Sequence, residues 1–303
     1  MRVFVTGVTG FIGARLAARL VEAGHEVHGL ALPDDPATRL AGATGVTIHR
    51  GDLAVPAEVE RAVAAARPEA CAHLAWYAAP GKYLHADENL GLVTASLELA
   101  RILVRAECKQ FLGVGTCFEY DLARGLLAEG SPTRPHTLYG ACKLATYEAL
   151  RLFLPARGVR FAWARPFFVY GPGEPDGRLV PAVLGPLLAG GEAKVSSGEQ
   201  IRDFSHVDDV AGGLAAILAS DATDVVNVGS GVPVRVRDVV AAAARAAGAP
   251  DRVAYGAVPQ RPGDPPFVCA SVEKLRGLGF VPRFDLDAGL ADTVRAWKEG
   301  PRG

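Results

Sequence analysis

The 303-residue sequence predicts an α/β fold, a doubly wound parallel sheet with a smaller C-terminal region for substrate. Three observations carry that expectation. Short apolar runs alternate with helical periodicities of ten or more residues, and the first run ends in a glycine-rich turn that opens a helix. After Arg165 the texture turns abruptly rich in proline and glycine. Half the residues are apolar and 21% are charged, enough to build a core and too little net charge for a disordered chain.

Along the chain, Arg2 to Thr6 reads as a buried strand, and Phe11 to Glu22 as a helix with Ile12, Leu16, Leu20 and Val21 on one side. Gly24 ends that helix. Strands follow near Glu26 to Leu32 and at Val46 to His49. A helix near Ala57 to Ala66 leads to a strand at Ala70 to Ala75, and a long helix over Leu90 to Arg105 leads to a strand at Gln110 to Gly115. The helix from Leu138 to Phe153 precedes a strand at Val159 to Arg165. Crossovers of that length are right-handed and cover both faces of a parallel sheet.

Pro166, Gly171, Pro172, Gly173, Pro175, Gly177, Pro181 and Pro186 then crowd the chain, so it leaves the sheet for a loop-rich region. It returns with a helix at Val207 to Ala219 and a strand at Val225 to Val228. A last helix, Val236 to Ala247, precedes a proline-rich tail. The expected division gives residues 1–165, with about 203–231, to a dinucleotide, and residues 166–202 with 232–303 to substrate. Function belongs at their junction.

Composition narrows the classes. The 32 Lys and Arg are balanced by 33 Asp and Glu, so no summed positive field exists to hold nucleic acid. Five scattered cysteines without a C-x-x-C pair indicate neither a disulfide framework nor a metal site, and read as reduced thiols of a cytoplasmic protein. Arg2 and the apolar run behind it imitate a signal peptide, but Thr6, Gly7, Thr9, Gly10 and Gly13 interrupt it. No stretch has the ~18 uninterrupted apolar residues of a membrane span.

The interrupting residues have their own chemistry. In Thr6-Gly7-Val8-Thr9-Gly10-Phe11-Ile12-Gly13, Gly7 permits the tight turn, Gly10 lets backbone approach a pyrophosphate, and Gly13 lets the helix pack on the sheet. N–H groups at the helix start complete an anion cradle. The acidic residue that such a cradle pairs with a ribose 2′-hydroxyl is expected at the end of the second strand, where this chain has Ala31. With Arg39 nearby to meet a 2′-phosphate, the cofactor reads as NADP (NADPH). Asp34 and Asp35 keep NAD open, since either carboxylate can reach back to the hydroxyl. Asp52, with Leu53, falls where the adenine edge would sit.

Tyr139 and Lys143 lie four apart on a predicted helix and so share a face. An ammonium there is expected to lower the tyrosine pKa and make Tyr139 a general acid. With these residues the sequence resembles the extended short-chain dehydrogenase/reductase family, in its nucleotide-sugar branch. The likeness covers the glycine turn, Gly51-Asp52-Leu53, His73-Leu74-Ala75, Asn89 and Tyr139-x-x-x-Lys143. It continues through Arg165-Pro166, Val169 to Gly173, Arg202-Asp203-Phe204, Asn227 to Gly231 and Arg261-Pro262-Gly263-Asp264.

The resemblance implies a Rossmann fold in which Tyr139 donates a proton to a sugar carbonyl, Lys143 holds the nicotinamide ribose and Thr116 donates to the same carbonyl. Leu74, Ala75 and Pro166 would line the cofactor. Arg202 and Arg261 would bind the nucleotide diphosphate of the substrate, with Trp76, Lys82 and Phe168 around the sugar. A homodimer through the long helix and the tyrosine helix is also implied.

Departures from the family patterns suggest the reaction. Dehydratases of the branch carry an Asp-Glu pair after the threonine, where this chain has Cys117 and Phe118; Phe118 moves no proton. Epimerase-reductases resembling GDP-fucose synthase place their cysteine at the Phe118 slot, and Cys117 is one residue away. Relatives of the UDP-galactose epimerase have an Asn after Arg-Pro, where Phe167 and Phe168 stand. The stretch from His73 to Tyr83 is similar to 4-ketoreductases of the CDP-abequose synthase kind. The expected activity is therefore reduction of the C4 ketone of a nucleotide-diphosphate 4-keto-6-deoxyhexose. A 4-epimerase stays open as the alternative, and a non-catalytic dinucleotide sensor after it.

Overall fold

In a computed structural model, residues 1–260 and 263–300 are described. The first half runs β1 (Arg2–Thr6), α1 (Phe11–Glu22), β2 (Glu26–Ala31), β3 (Val46–Arg50), α2 (Pro56–Ala66), β4 (Ala70–His73), α3 (Glu88–Arg105), β5 (Gln110–Val114), β6 (Leu126–Leu127) and α4 (Leu138–Phe153). The second half runs β7 (Arg160–Pro166), β8 (Phe168–Tyr170), α5 (Leu179–Leu188), β9 (Ala193–Val195), β10 (Ile201–His206), α6 (Val207–Ala219), β11 (Asp224–Val228) and β12 (Pro233–Arg235). It closes with α7 (Val236–Ala247), β13 (Val253–Tyr255), β14 (Phe267–Ala270), α8 (Glu273–Gly277) and α9 (Leu286–Glu299).

Seven parallel strands form the main sheet in the order β11-β7-β5-β4-β1-β2-β3. The order reverses between β1 and β4, which opens a crevice at their carboxyl ends, the usual ligand position in such sheets. Leu16, Leu20, Val210, Leu214 and Ile217 of α1 and α6 pack on one face, and Val59, Leu99, Leu103 and Leu150 of α2, α3 and α4 on the other. The fold is the Rossmann-like doubly wound sheet that the alternation predicts.

Beyond Arg165 the structure is more regular than its prolines suggest. Strands β12, β10, β14 and β6 form a second sheet, with β8 paired to β10. Helix α5 forms despite Pro181 and Pro186. Pro181 is in the first turn, where a missing N–H breaks no helical bond, and Val180, Val183, Leu184 and Leu187 bury one side. The expected proline-rich tail also contains α9, capped by Asp285, whose Oδ1 accepts from the Ala288 amide at 2.8 Å.

Buried polar groups join the layers. Glu119, wholly buried, accepts from the Thr116 amide (2.8 Å), Trp163 Nε1 (3.0 Å) and Arg165 Nε (2.7 Å). Asn227 of β11 accepts from the Tyr120 hydroxyl at 2.8 Å and donates to the carbonyls of Leu127 and Ser271 at 2.9 and 3.2 Å. Asp203 of β10 accepts from the amides of Ser230, Gly231 and Ala270. His73 is fully enclosed, with Nδ1 2.7 Å from Thr6 Oγ1 and Nε2 2.8 Å from Ser96 Oγ. Ser96 spends its own proton on the Leu92 carbonyl, so the network assigns the proton of a neutral His73 to Nε2.

Arg165→Met should leave the Glu119 charge uncompensated in the interior and cost about 3–5 kcal/mol in a denaturant titration; a loss below ~1 kcal/mol would refute the dependence. Burial, aided by the Lys143 charge, pushes His73 down to about 3, so the folded protein excludes the imidazolium that the unfolded chain forms below its ordinary 6.5. Stability present above pH ~6.5 should therefore decline as pH falls toward 3, by roughly 5 kcal/mol at most. His73→Gln should flatten that decline in acid-unfolding curves.

Candidate functional site

The glycine turn has the close approaches its sequence requires. Gly7 sits at φ +68°, and a Cβ there would lie 2.8 Å from the Ala75 amide nitrogen. A Cβ on Gly13 would come within 2.0 Å of the Gly7 carbonyl oxygen. Gly10 caps α1 in extended geometry and its amide donates to the Gly7 carbonyl at 3.0 Å. Phe11 and Ile12 supply the first-turn N–H groups, which have no intrahelical partner. The cradle is backbone, with no room for a side chain, and fits a dinucleotide pyrophosphate. The Leu74 amide donates to the Thr6 carbonyl and the Ala75 amide to Thr6 Oγ1, both at 3.2 Å, which lays this segment against Gly7. Pro166 ends β7 and is buried.

Around the cradle, several charges are engaged differently from expectation. Thr9 donates to Asp35 Oδ2 at 2.6 Å, and the Ala37 amide to Asp35 Oδ1 at 2.7 Å, so a carboxylate flanks the turn although Ala31 is neutral. Arg39, expected to meet a 2′-phosphate, instead donates to the Gly173 carbonyl at 3.1 and 3.3 Å. Asp52 caps its own turn through the Ala54 amide at 2.8 Å, and Leu53 is buried in the core under α2.

The threonine, tyrosine and lysine converge. Thr116 Oγ1 accepts from the Phe118 amide, while its amide is held by Glu119, a capping box at the end of β5. Tyr139, on the first turn of α4, is tied by its amide to the Leu84 carbonyl at 3.0 Å. Tyr83, Trp76 and Phe118 stand edge-on to its ring at centroid distances of 4.9, 6.5 and 6.4 Å. Lys143 is buried; its ammonium donates to the Val114 carbonyl at 2.7 Å and lies 3.8 Å from the centre of the Trp76 ring.

This geometry corrects the expected pKa relation. Burial pushes the Tyr139 phenol well above its usual range, with the neighbouring Tyr83 adding and the Thr116 hydroxyl opposing. The ammonium is committed to Val114 and Trp76, and burial pushes Lys143 itself down to about 7, opposed by Glu119. In the resting site the phenol is neutral and the lysine is the group that titrates near neutrality.

Trp76, expected to face the sugar, has its Nε1 donating to Asn89 Oδ1 at 2.8 Å. Phe168 packs edge-on to Phe118 at 6.3 Å and meets Arg202, whose guanidinium carbon is 5.4 Å from its ring centre. Arg202 is buried and bound to Asp264 at 2.6 Å, so its charge is compensated. Lys82 is exposed and is not gathered into the aromatic cluster. Arg261 lies outside the described residues. All five cysteines are free and buried, Cys117 with its thiol pushed up to about 12.

The sequence reading missed two residues beside the cluster. Arg178, before α5, donates to the Tyr83 hydroxyl at 3.3 Å and lies 4.7 Å from its ring centre. Glu174, four residues earlier, has a buried Oε2 with no hydrogen-bond partner among the described residues, and burial pushes its carboxyl up to about 8. No spacing rule marks either, because both sit in the irregular segment before α5. Glu119 was passed over as well, although its signal is local: Thr116-x-x-Glu119 is a capping-box pattern. Among the described residues, no three or more His, Cys, Asp or Glu cluster as a metal site, and no helix is long and apolar enough to cross a membrane.

Comparison with known proteins agrees with this architecture. Residues 3–229 match the NAD dependent epimerase/dehydratase family. The UDP-glucose 4-epimerase of Azospirillum brasilense is 29% identical, covering 98% of this chain and 92% of that protein. The dTDP-glucose 4,6-dehydratase of an Actinoplanes species is 28% identical over 100% of this chain and 99% of its own length. The crystal structure of the Thermus thermophilus UDP-glucose 4-epimerase in complex with NAD superposes with a TM-score of 0.85 and 28% identity, over 99% of this chain and all of that one. With the family match running over residues 3–229, most of its length, the chain belongs to the NAD dependent epimerase/dehydratase family.

Proposed function

We propose that the protein is an NAD-dependent 4-epimerase of a nucleotide-diphosphate sugar. The observation that carries this reading is the convergence of Thr116, Tyr139 and Lys143 at the carboxyl end of β5, beside the segment that backs the glycine cradle. The names of the similar proteins favour it over reduction of a 4-keto sugar, the reading the sequence alone suggested.

Gly7, Gly10, Gly13 and the first turn of α1 would hold the pyrophosphate of NAD. Bound there, NAD would supply a hydride acceptor and donor for the sugar C4. Tyr139 handles the matching proton at O4 as its phenolate, the form that the Lys143 cation one helical turn away favours: it accepts the proton as the alcohol becomes a ketone and gives it back afterwards. Thr116 donates a hydrogen bond to the same oxygen and steadies its partial charge. Lys143, poised near neutrality, binds the ribose and keeps a cation one helical turn from the phenol. Residues 1–165 with 203–231 would form the cofactor side, and 166–202 with 232–303 the substrate side. A homodimer through α3 and α4 accords with Leu90 and Leu152, which expose 58% and 66% of their surface there.

A second reading, reduction of a 4-keto-6-deoxy sugar, is favoured by the apolar Phe118–Phe168 pair, which suits a deoxygenated sugar carbon. Incubation with UDP-glucose or another 4-hydroxy nucleotide sugar and NAD separates the two. Interconversion of the C4 epimers without net cofactor change, followed by NMR, is expected. Consumption of NADPH or NADH only with a 4-keto-6-deoxy substrate would instead favour the reductase, and neither outcome would leave a dinucleotide sensor. Tyr139→Phe should lower turnover by about 10²-fold or more while NAD binding persists.

For the cofactor, the acid that Thr9 engages places negative charge beside the cradle, and Arg39 is occupied by Gly173. NAD is therefore proposed in place of NADP. Asp35→Ala should weaken NAD by about tenfold and narrow its preference over NADP, consistent with loss of one charge-assisted bond. Arg39→Ala should affect both cofactors alike. A selective loss of NADP binding in titration calorimetry would restore the phosphate role of Arg39.

A further inference from the structure

Trp76 differs from the other aromatic neighbours of Tyr139 in how completely its contacts are taken up by the protein. Its indole N–H donates to Asn89 Oδ1 at 2.8 Å, its ring lies under the Lys143 ammonium at 3.8 Å, and the Tyr139 ring meets it edge-on. Asn89 is wholly buried on the first turn of α3, and its amide donates to the carbonyls of Tyr83 and Ala86, both at 2.7 Å. One carboxamide thus fixes the indole and the backbone of Tyr83, the ring closest to Tyr139. A sugar-facing role leaves these bonds unexplained, because they direct the indole toward the amine.

We propose that Trp76 and Asn89 are positioning residues: Asn89 pins the indole, and the indole holds the Lys143 ammonium at a fixed place one helical turn from Tyr139. A lysine head on four rotatable bonds has many rotamers, and a single bond to the Val114 carbonyl leaves it free to pivot. An aromatic face below it closes that freedom while favouring the cation. The other groups facing Lys143 are Glu119, which favours the charge, and His73, which is neutral; burial works against the charge. This inference rests on the roles given above to Tyr139 and Lys143, and its test does not require that the sugar be correctly identified.

The NAD-loaded protein, labelled at its lysines, is titrated by NMR, with the Lys143 signal assigned by its absence in Lys143→Met. In Trp76→Leu the Lys143 titration should move to lower pH, since burial persists while the attraction of the ring is gone. In Trp76→Phe, which keeps a ring but not the N–H, most of the position should return. Turnover in Trp76→Leu should fall about tenfold with the sugar KM changed by less than about twofold, and the alkaline limb of its pH profile should move to lower pH. Asn89→Leu keeps the ring and removes its pin, so it should fall with Trp76→Phe, between the parent and Trp76→Leu. A raised KM with unchanged kcat would return Trp76 to the sugar wall and overturn the proposal, as would a Lys143 titration that stays or rises. If no sugar is turned over by the parent protein, the proposed function fails and the Lys143 titration still decides this inference.

Discussion

The site depends on one carboxylate held where no water reaches it. Glu119 takes hydrogen bonds from the Thr116 amide at the end of β5 and from Trp163 and Arg165 on β7, so adjacent strands and the turn between sheets share one acceptor. Such a charge is tolerable only because a guanidinium lies 2.7 Å away and each remaining lone pair finds a donor. Arg165 in turn lies over the ring of Tyr120. Thr116 is placed by this arrangement, and the phenol it faces inherits the same frame.

Much of the fold was legible because its signals are local. The strand, glycine turn and helix at Arg2 to Glu22 are written in consecutive residues, and the boundaries expected for α1, α4, α6 and α7 are those observed. The second sheet was hidden for the opposite reason. Its strands β6, β8, β10, β12 and β14 span two to six residues each and come from segments far apart in the chain, so no window contains the pattern. Prolines within α5 concealed it, its apolar stripe outweighing propensity, whereas α9 contains none and was hidden only by the prolines that precede it.

The chemistry was legible as residue types more than as relations. Spacing alone placed Tyr139 and Lys143 on one face, but the direction in which the ammonium turns is set by Val114 and Trp76, residues 29 and 67 positions away. Similarly, with Ala31 in the expected acidic place, the sequence offered both Asp34 and Asp35 as carboxylates able to reach back, and it is the curl of the loop after β2 that brings Asp35 to Thr9. A motif names a position in a strand; which side chain fills the space above it depends on loop geometry that no fixed offset encodes.

Asn227 has a mechanical consequence. Standing in the main sheet, it bonds Tyr120, Leu127 and Ser271, which belong to the second layer. Two halves riveted through a buried amide cannot swing apart like jaws without leaving those carbonyls bare. Traffic into and out of the crevice must then be managed by loops such as the two that the Arg39–Gly173 hydrogen bond ties together, so ligands should exchange through a small door in a rigid shell.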